Sequence, residues 1–282
     1  MSTVISIINN KGGVGKTTST DVIGELLAYL GKRVLVIDLD PQSNLSMLLR
    51  HYIEDPIDVI NGVKNPPPTE YNIAELFKYR YSKKEEVMQL IRHTKTERMD
   101  IIPASKRHNN SIFYITDNNI ILKKAIAAIS SDYDYILIDN APANNKLTIN
   151  SMFASDYVLV PVRADSFSYT GLKETLQTIV YIKKEHLVDV EFAGTFLTQA
   201  ETNTNLFKDV KENYKQELSK KFLHSTIRKD VKIGEMETKL QPLLQYAPNT
   251  NAIFDYANLI LELNILDETS TKILKESISY GK

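Results

Sequence analysis

A glycine-rich stretch near the N-terminus holds the residues whose types and spacing point most clearly to chemistry. Residues 11–18 read Lys-Gly-Gly-Val-Gly-Lys-Thr-Thr, after an apolar run that ends near Ile8 and before a helical pattern that starts near Thr17. Glycines let the backbone turn back on itself so that successive N–H groups point at one anion, and the next helix offers its N-terminus to that anion. The order of strand, loop and helix therefore predicts a phosphate-binding loop.

Two polar side chains of this loop complete the predicted chemistry. Lys16 can reach the β and γ oxygens of a nucleotide, and the Thr17 hydroxyl is placed to ligate Mg²⁺. We therefore predict that the loop binds ATP together with magnesium. The predicted nucleotide-binding residues are Lys11, Gly12, Gly13, Val14, Gly15, Lys16, Thr17 and Thr18.

Acidic residues follow two further apolar runs, at the end where open α/β sheets bind their ligands. Residues 34–37 lead to Asp38 and Asp40, and residues 135–138 lead to Asp139. One acid at a strand end is often only a helix cap or a turn residue. Two such acids after a phosphate loop are better explained by a shared metal ion. The predicted metal ligands are Thr17, Asp40 and Asp139.

The rest of the chain alternates short apolar runs with helical patterns. The strand-like runs are residues 4–8, 33–39, 100–102, 133–138, 157–162 and 192–197, and the helical patterns are 18–30, 170–185, 206–222 and 252–263. Continuously apolar runs are typical of strands buried on both faces of a parallel sheet. We predict one α/β domain over residues 1–282, with a doubly wound, mostly parallel sheet flanked by helices. Residues 51–97 are the candidate insertion, and the sequence leaves open whether they form a small helical subdomain or a loop.

Composition narrows the classes of function. The 282 residues carry a formal net charge of −1, so any nucleic-acid contact would need a local basic patch. The absence of cysteine excludes disulfides, thiolate zinc sites and cysteine-held iron–sulfur clusters. The sequence has no signal peptide and no run of ~18 apolar residues, which predicts a cytoplasmic protein.

The phosphate loop departs from the usual pattern, because Asn10 stands where glycine is required and Lys11 is an additional lysine. The sequence resembles the ParA/Soj type of DNA-partition ATPase. The resemblance lies in this deviant loop and in residues 31–44, 133–139, 147–150, 154–156, 160–162, 171–172 and 230–235. The resemblance spans most of the chain and thins in residues 51–97 and after Tyr256. It implies a homodimer that closes over two ATP molecules, with Lys11 reaching the phosphates of the partner subunit.

The same resemblance assigns roles to the site residues. Lys11, Lys16 and Asp40 are the implied catalytic residues, with Asp40 helping to organise the attacking water and Asp139 opening the second switch segment. The family usually has Thr-Pro-Pro or Cys-Pro-Pro after that second acid, whereas this sequence has residues 140–142 as Asn-Ala-Pro. We expect hydrolysis to survive with Asn140, at an altered rate, and to be slow without a partner protein.

A second implied activity is ATP-dependent binding of DNA without sequence preference, on the nucleoid. A centromere-binding, ParB-type partner would then stimulate hydrolysis and release the protein. The implied DNA-binding residues are Arg228, Lys229 and Lys232, while a further basic position of the family corresponds to Asn203. Larger relatives carry a helix-turn-helix domain before the loop. This sequence begins at the first strand, so operator-specific autoregulation is not expected.

Two alternatives with the same loop stay open. One is a MinD-like membrane-associated positioning ATPase, and the other is an ATP-dependent biosynthetic ligase. MinD-like proteins end in a basic amphipathic helix, whereas residues 266–277 mix both charges with few apolar anchors, so no membrane partner is expected. No motif points to a second substrate pocket, which disfavours a ligase.

Overall fold

The computed structural model describes residues 1–51, 71–104, 118–143, 145–186 and 188–280. Its strands are β1 (Thr3–Ile7), β2 (Val34–Asp38), β3 (Arg92–His93), β4 (Met99–Ile102), β5 (Tyr135–Asp139), β6 (Tyr157–Arg163), β7 (Glu191–Ala200) and β8 (Phe222–Arg228). They form one eight-stranded sheet in the order β3-β4-β2-β5-β1-β6-β7-β8. Neighbouring strands are parallel, except for the antiparallel pair of β3 and β4.

Helices connect and cover the strands. The described helices are α1 (Lys16–Tyr29), α2 (Asn44–Leu48), α3 (Ile73–Tyr79), α4 (Lys84–Met88), α5 (Ile121–Ile129), α6 (Lys146–Ala154), α7 (Ser166–His186), α8 (Asn205–Leu218), α9 (Val231–Lys239), α10 (Leu243–Tyr246), α11 (Asn251–Leu263) and α12 (Glu268–Tyr280). Within the residues that the structure describes, none of the helices combines the length and the apolar character needed to cross a membrane.

Strand β2 shows why the sheet needs helices on both faces. Its residues alternate between two apolar cores, since Val34 and Val36 belong to the core that includes α1 and α11. Leu35 and Ile37 belong to the core that includes α3 and α5. All five residues of β2 are buried and the first four are apolar, so these four form one continuous apolar run rather than an alternating pattern. The prediction of a mostly parallel α/β sheet flanked by helices is confirmed.

One predicted element was wrong in part. The four-residue apolar repeat over 206–222 predicts a single helix, but α8 ends at Leu218 and Phe222 begins β8. Phe222 lies in the same core as Phe207 and Tyr214 of α8, so it continues the apolar stripe in a different conformation.

In the candidate insertion, residues 71–97 contain α3, α4 and β3, whereas residues 52–70 lie outside the described residues. The single-domain assignment stays a prediction.

Helix α1 buries two carboxyl groups behind the phosphate loop. Asp21 and Glu25 are one helical turn apart and both are fully buried. Burial raises the pKa of Glu25 to about 7, although the backbone N–H groups of Leu244 and Leu243 oppose this by donating to its carboxylate. Burial, followed by the charge of Glu25, raises the pKa of Asp21 well above its usual range. In the folded chain, burial therefore favours the protonated form of both carboxyl groups.

The raised pKa of Glu25 predicts how stability depends on pH. Between its ordinary pKa of 4.5 and about 7, the folded chain holds a proton that the unfolded chain releases. The free energy of unfolding therefore falls as pH rises through that window. Glu25→Gln removes this titration, so we expect its urea-denaturation midpoint to change less between those pH values. The titration of Glu25 changes the free energy of unfolding by an amount on the order of 3 kcal/mol at most.

Glu212→Gln is the matched control, because Glu212 lies exposed on α8. That variant should keep the pH dependence of the unsubstituted chain. If Glu25→Gln and Glu212→Gln show the same change of midpoint with pH, then the buried carboxyl group does not titrate as described.

Candidate nucleotide-binding site

The glycine-rich loop lies between β1 and α1 and opens onto a cleft of about 630 Å³. Gly13 and Gly15 have φ values of 69° and 84°, in the left-handed region that glycine adopts without a steric penalty. Gly15 also caps the N-terminus of α1, so the first turn of that helix faces the cleft. Backbone N–H groups and a helix N-terminus at one concave surface fit an anionic phosphate chain.

Parallel strand pairing brings the predicted acids to the phosphate loop. Ile7, the last residue of β1, is in register with Asp139 of β5, and Asp38 of β2 is in register with the same residue. The three strands therefore end at one level, where the loop after β1 meets the acids after β2 and β5. Asp40 lines the cleft together with Lys16 and Thr17.

Lys16 points back across its own loop. Its Nζ donates to the backbone carbonyl oxygen of Lys11 at 3.0 Å, and only 6% of the residue is exposed. Burial lowers the pKa of Lys16, while the charges of Asp139 and Asp40 act in the opposite direction. The ammonium group therefore lies inside the cleft, close to two carboxylates and among the loop's backbone groups.

Thr17 and Asp139 are in direct contact. The Thr17 hydroxyl donates to Asp139 Oδ2 at 2.7 Å, and Asp139 Oδ1 is buried with no hydrogen-bond partner among the described residues. Burial, and then the charge of Asp38, raise the pKa of Asp139 well above its usual range. A buried carboxylate with an unsatisfied oxygen beside a hydroxyl is the donor set that a hard divalent cation favours.

The turn between Asp38 and Ser46 positions Asp40. Asp38 accepts hydrogen bonds from the Asp40 N–H at 3.0 Å and from the N–H and hydroxyl of Ser46 at 2.9 and 2.7 Å. Asp40 Oδ1 accepts from the Gln42 N–H at 2.8 Å. Burial raises the pKa of Asp38 to about 7, against these hydrogen bonds. Asp38 thus organises the turn and leaves Asp40 at the cleft surface.

Lys11 forms an ion pair within its own chain. Its Nζ lies 2.6 Å from Asp165 Oδ1, in the segment between β6 and α7. The backbone beside it is held tightly, since Asn9 Oδ1 accepts from the Lys11 N–H at 2.9 Å. A Cβ atom added at Gly171 of α7 would come within 2.5 Å of that same Asn9 oxygen. The loop from Asn9 to Lys11 therefore lies against α7.

Among the cleft residues that sequence reasoning missed, two contact the phosphate loop. Glu237 of α9 accepts from the Thr18 hydroxyl at 3.1 Å, and Gln199 of β7 donates to the Gly13 carbonyl oxygen at 2.9 Å. Both residues line the cleft. Gln199 follows an apolar run at the carboxyl end of a parallel strand, which is a signal that could have identified it. No local pattern marks Glu237, because a distant helix delivers it.

Asn140, at which the sequence departs from the family pattern, forms hydrogen bonds within the sheet. Its side-chain amide donates to the carbonyl oxygens of Ile7 and Ile138 at 3.3 and 3.2 Å. It therefore links the ends of β1 and β5 directly beneath the phosphate loop. Its Oδ1 is buried and has no hydrogen-bond partner within the described ranges.

The three predicted DNA-binding residues lie together at the end of β8 and the start of α9, but each pairs with a carboxylate. Arg228 Nη2 lies 2.7 Å from Asp255 Oδ1, with a further hydrogen bond from its Nε at 2.9 Å to Oδ2. Lys229 pairs with Glu201 at 2.6 Å, and Lys232 pairs with Glu235 at 2.8 Å. Most of the positive charge of this segment is therefore compensated within the chain.

Comparisons with known proteins identify the family to which the chain belongs. A family model described as an AAA domain matches residues 2–192. The Bacillus subtilis protein Soj, a sporulation initiation inhibitor, is 31% identical over 93% of this chain and 98% of its own length. The chromosome-partitioning ATPase Soj of Treponema pallidum is 28% identical over 93% of this chain and 97% of its own length. The chain belongs to the ParA/Soj family of partition ATPases.

Solved structures share the fold of this ATPase. A Cyanothece McdA variant in complex with ATP superposes with a TM-score of 0.78 at 20% identity, over 94% of this chain and 98% of that one. Pyrococcus furiosus MinD, a cell-division ATPase, has a TM-score of 0.71 at 20% identity and coverages of 95% and 100%. Cobyrinic acid a,c-diamide synthase of Mycobacterium smegmatis, with ADP and magnesium bound, has a TM-score of 0.68 at 25% identity. The match covers 87% of this chain and 95% of that one.

Replacing Lys16 tests whether its ammonium group binds phosphate. Lys16→Ala removes a buried cation that faces the loop, so we expect nucleotide affinity to fall by roughly 10- to 100-fold or more. Titration with a fluorescent ATP analogue measures the change. Lys208→Ala removes an exposed lysine of α8 and should keep the affinity of the unsubstituted chain. Equal affinities for the two variants would contradict the role of Lys16.

Proposed function

We propose that this ATPase partitions DNA. ATP and Mg²⁺ bind at the glycine-rich loop, two ATP-bound subunits form a homodimer, and the dimer binds DNA without sequence preference. A centromere-binding, ParB-type partner stimulates hydrolysis and thereby releases the protein from the nucleoid. The observation that carries this proposal is the deviant loop, in which Lys11 adds a second lysine to a complete phosphate site.

Magnesium use is supported by the contact between Thr17 and Asp139. The unsatisfied Asp139 oxygen and the Thr17 hydroxyl lie beside the loop that would hold the phosphates, and Asp40 faces the same cleft. Mg²⁺ is typically held by one or two protein oxygens together with phosphate oxygens and water. When bound, the ion would neutralise charge on the β and γ phosphates. The charge of the ion would also favour the ionised form of Asp139, against the effect of burial.

Dimerisation is supported by the position of Lys11. Lys16 already lies inside the cleft, whereas Lys11 forms an ion pair with Asp165. An additional cation can serve phosphoryl transfer in the partner subunit by stabilising the charge that develops there. In that arrangement Lys11 exchanges Asp165 for a phosphate of the partner. ATP then controls dimerisation, because its phosphates are the anionic groups that Lys11 of the other subunit binds.

A DNA-binding assay separates this proposal from the two alternatives. Binding to a duplex of arbitrary sequence is measured with and without ATP and Mg²⁺ across a range of salt concentrations. We expect binding that requires ATP and weakens steeply with salt, because phosphate contacts release counterions. ATP-dependent binding to lipid vesicles alone would favour the MinD-like alternative. Absence of binding to both would favour a ligase.

Lys11→Ala tests the cross-subunit role. The variant should keep nucleotide affinity within a few-fold, because Lys16 and the loop N–H groups remain, but it should lose the ATP-dependent dimer. Sedimentation velocity with ATP and Mg²⁺ measures the dimer fraction. Asp165→Asn is the matched control, since it removes the other half of the ion pair and keeps Lys11. It should form dimers at the same or a lower ATP concentration. Persistence of dimers in Lys11→Ala would refute the role.

A further inference from the structure

The nucleotide cleft contains an acid that is not one of the predicted metal ligands. At the N-terminus of α1, the Thr17 hydroxyl donates to Asp139 at 2.7 Å. The next hydroxyl, that of Thr18, donates to Glu237 Oε1 of α9 at 3.1 Å. Neighbouring residues of an α-helix point about 100° apart, so Glu237 meets the phosphate loop on a different side from Asp139. Glu237 is exposed and lines the same cleft.

The contact of Glu237 differs from those of the acids near it. Glu235, on the same helix, pairs with Lys232 at 2.8 Å, and Glu201 pairs with Lys229 at 2.6 Å. Glu237 contacts a neutral hydroxyl instead. A negative charge beside a phosphate chain raises the electrostatic energy of the bound state. The carboxylate therefore opposes phosphate binding unless the ligand also offers it a hydrogen-bond donor.

The chemistry of ATP limits which of its groups can be that donor. An ionised carboxylate only accepts hydrogen bonds, and ATP can donate only from the two ribose hydroxyls and from the 6-amino group of adenine. The ribose is bonded to the α-phosphate, whereas the amino group lies at the far end of the base. Because Glu237 contacts a hydroxyl of the phosphate loop, its carboxylate lies at the level of the ribose. Dinucleotide-binding proteins likewise place an acid on a ribose hydroxyl.

The remaining lining of the cleft suits the base. Met47, Leu48, Pro142 and Leu240 line it together with the phosphate loop. Apolar side chains of this kind are typical of the part of a ligand site that packs against a flat, weakly polar group. The base thus has an apolar surface available, which leaves the Glu237 carboxylate to the sugar.

Helix α9 is fixed at both ends, so the carboxylate that it carries is held in place. The Asp230 side chain caps its N-terminus. Met236, in the last turn, is fully buried in the core. At the C-terminus, the Arg50 guanidinium donates to the carbonyl oxygens of Leu240 and Lys239 at 2.9 and 3.2 Å. A group positioned before the ligand arrives binds it at a lower entropic cost.

We propose that Glu237 accepts hydrogen bonds from the ribose hydroxyls and thereby makes the site prefer ribonucleotides to deoxyribonucleotides. When the nucleotide binds, Glu237 exchanges the Thr18 hydroxyl for a hydroxyl of the sugar. The proposal rests on ATP binding at the glycine-rich loop, which is part of the proposed function. It adds a specificity-determining residue to that site, delivered by a helix rather than by the loop.

Four ligands test the contact on the unsubstituted chain. Isothermal titration calorimetry with Mg²⁺ measures the affinities of ATP, 2′-deoxy-ATP, 3′-deoxy-ATP and inorganic triphosphate. We expect at least one deoxy analogue to bind roughly tenfold more weakly than ATP, because a hydrogen bond to a charged group is lost. The carboxylate meanwhile stays beside the phosphates without a donor.

Glu237→Ala distinguishes a ribose contact from a purely structural role. The variant loses both the acceptor and its repulsion of phosphate. The ratio of ATP affinity to deoxy-ATP affinity should therefore approach one, while inorganic triphosphate should bind at least as tightly as it does to the unsubstituted chain. Glu212→Ala is the matched control, because Glu212 lies exposed on α8. That variant should keep all the affinity ratios of the unsubstituted chain.

The outcomes separate this inference from the proposed function. If the unsubstituted chain binds neither ATP nor inorganic triphosphate, the proposed function fails, and this inference fails with it. If it binds ATP and both deoxy analogues equally well, only the role of Glu237 is wrong. Equal weakening of all four ligands in Glu237→Ala would show that the residue merely supports the fold.

Inosine triphosphate tests the base as the other source of a donor, because it lacks the 6-amino group and keeps both ribose hydroxyls. We expect Glu237→Ala to leave the ratio of ATP affinity to inosine triphosphate affinity unchanged. If the substitution changes that ratio and keeps the preference for ATP over the deoxy analogues, the carboxylate binds the base and the inference is overturned.

Discussion

The hydrogen bond between Thr17 and Asp139 joins the two halves of the nucleotide site, and it exists because three parallel strands end at one level. Ile7 and Asp38 are both in register with Asp139, so the loop after β1 and the acid at the end of β5 cannot lie apart. A shift of one residue would turn the Asp139 side chain to the other face of the sheet. Burial of the apolar residues that precede it opposes such a shift.

The same constraint concentrates charge in a small buried volume. Lys16, Asp38, Asp40 and Asp139 are all at least nine-tenths buried near one another. Burial disfavours the charged forms of three of these groups, so the pKa of Lys16 is lowered and those of Asp38 and Asp139 are raised. Such an arrangement is costly in the empty protein and becomes favourable when a cation and phosphates bind. Ligand binding and stability are therefore coupled at this site.

Charge outside the cleft is largely compensated within the chain at the β8 edge of the sheet. At the β8 edge, basic residues are matched by acids from neighbouring elements, which stabilises the fold only slightly because these pairs are largely exposed. The family resemblance directed attention to this edge, where Arg228, Lys229 and Lys232 already have acidic partners within the chain.

The sequence by itself determined the parallel sheet, the phosphate loop and the acids at the strand ends, because each depends on local order: apolar runs, glycine spacing and residues that follow a strand. The sequence did not predict β8, because Phe222 continues the four-residue apolar repeat of α8 although the backbone there changes from helix to strand. Only the tertiary structure decided which distant groups meet. Lys11 and Asp165 are 154 residues apart, and Thr18 and Glu237 are 219 apart. No local spacing encodes such contacts, because they depend on how the packed strands and helices bring remote segments together.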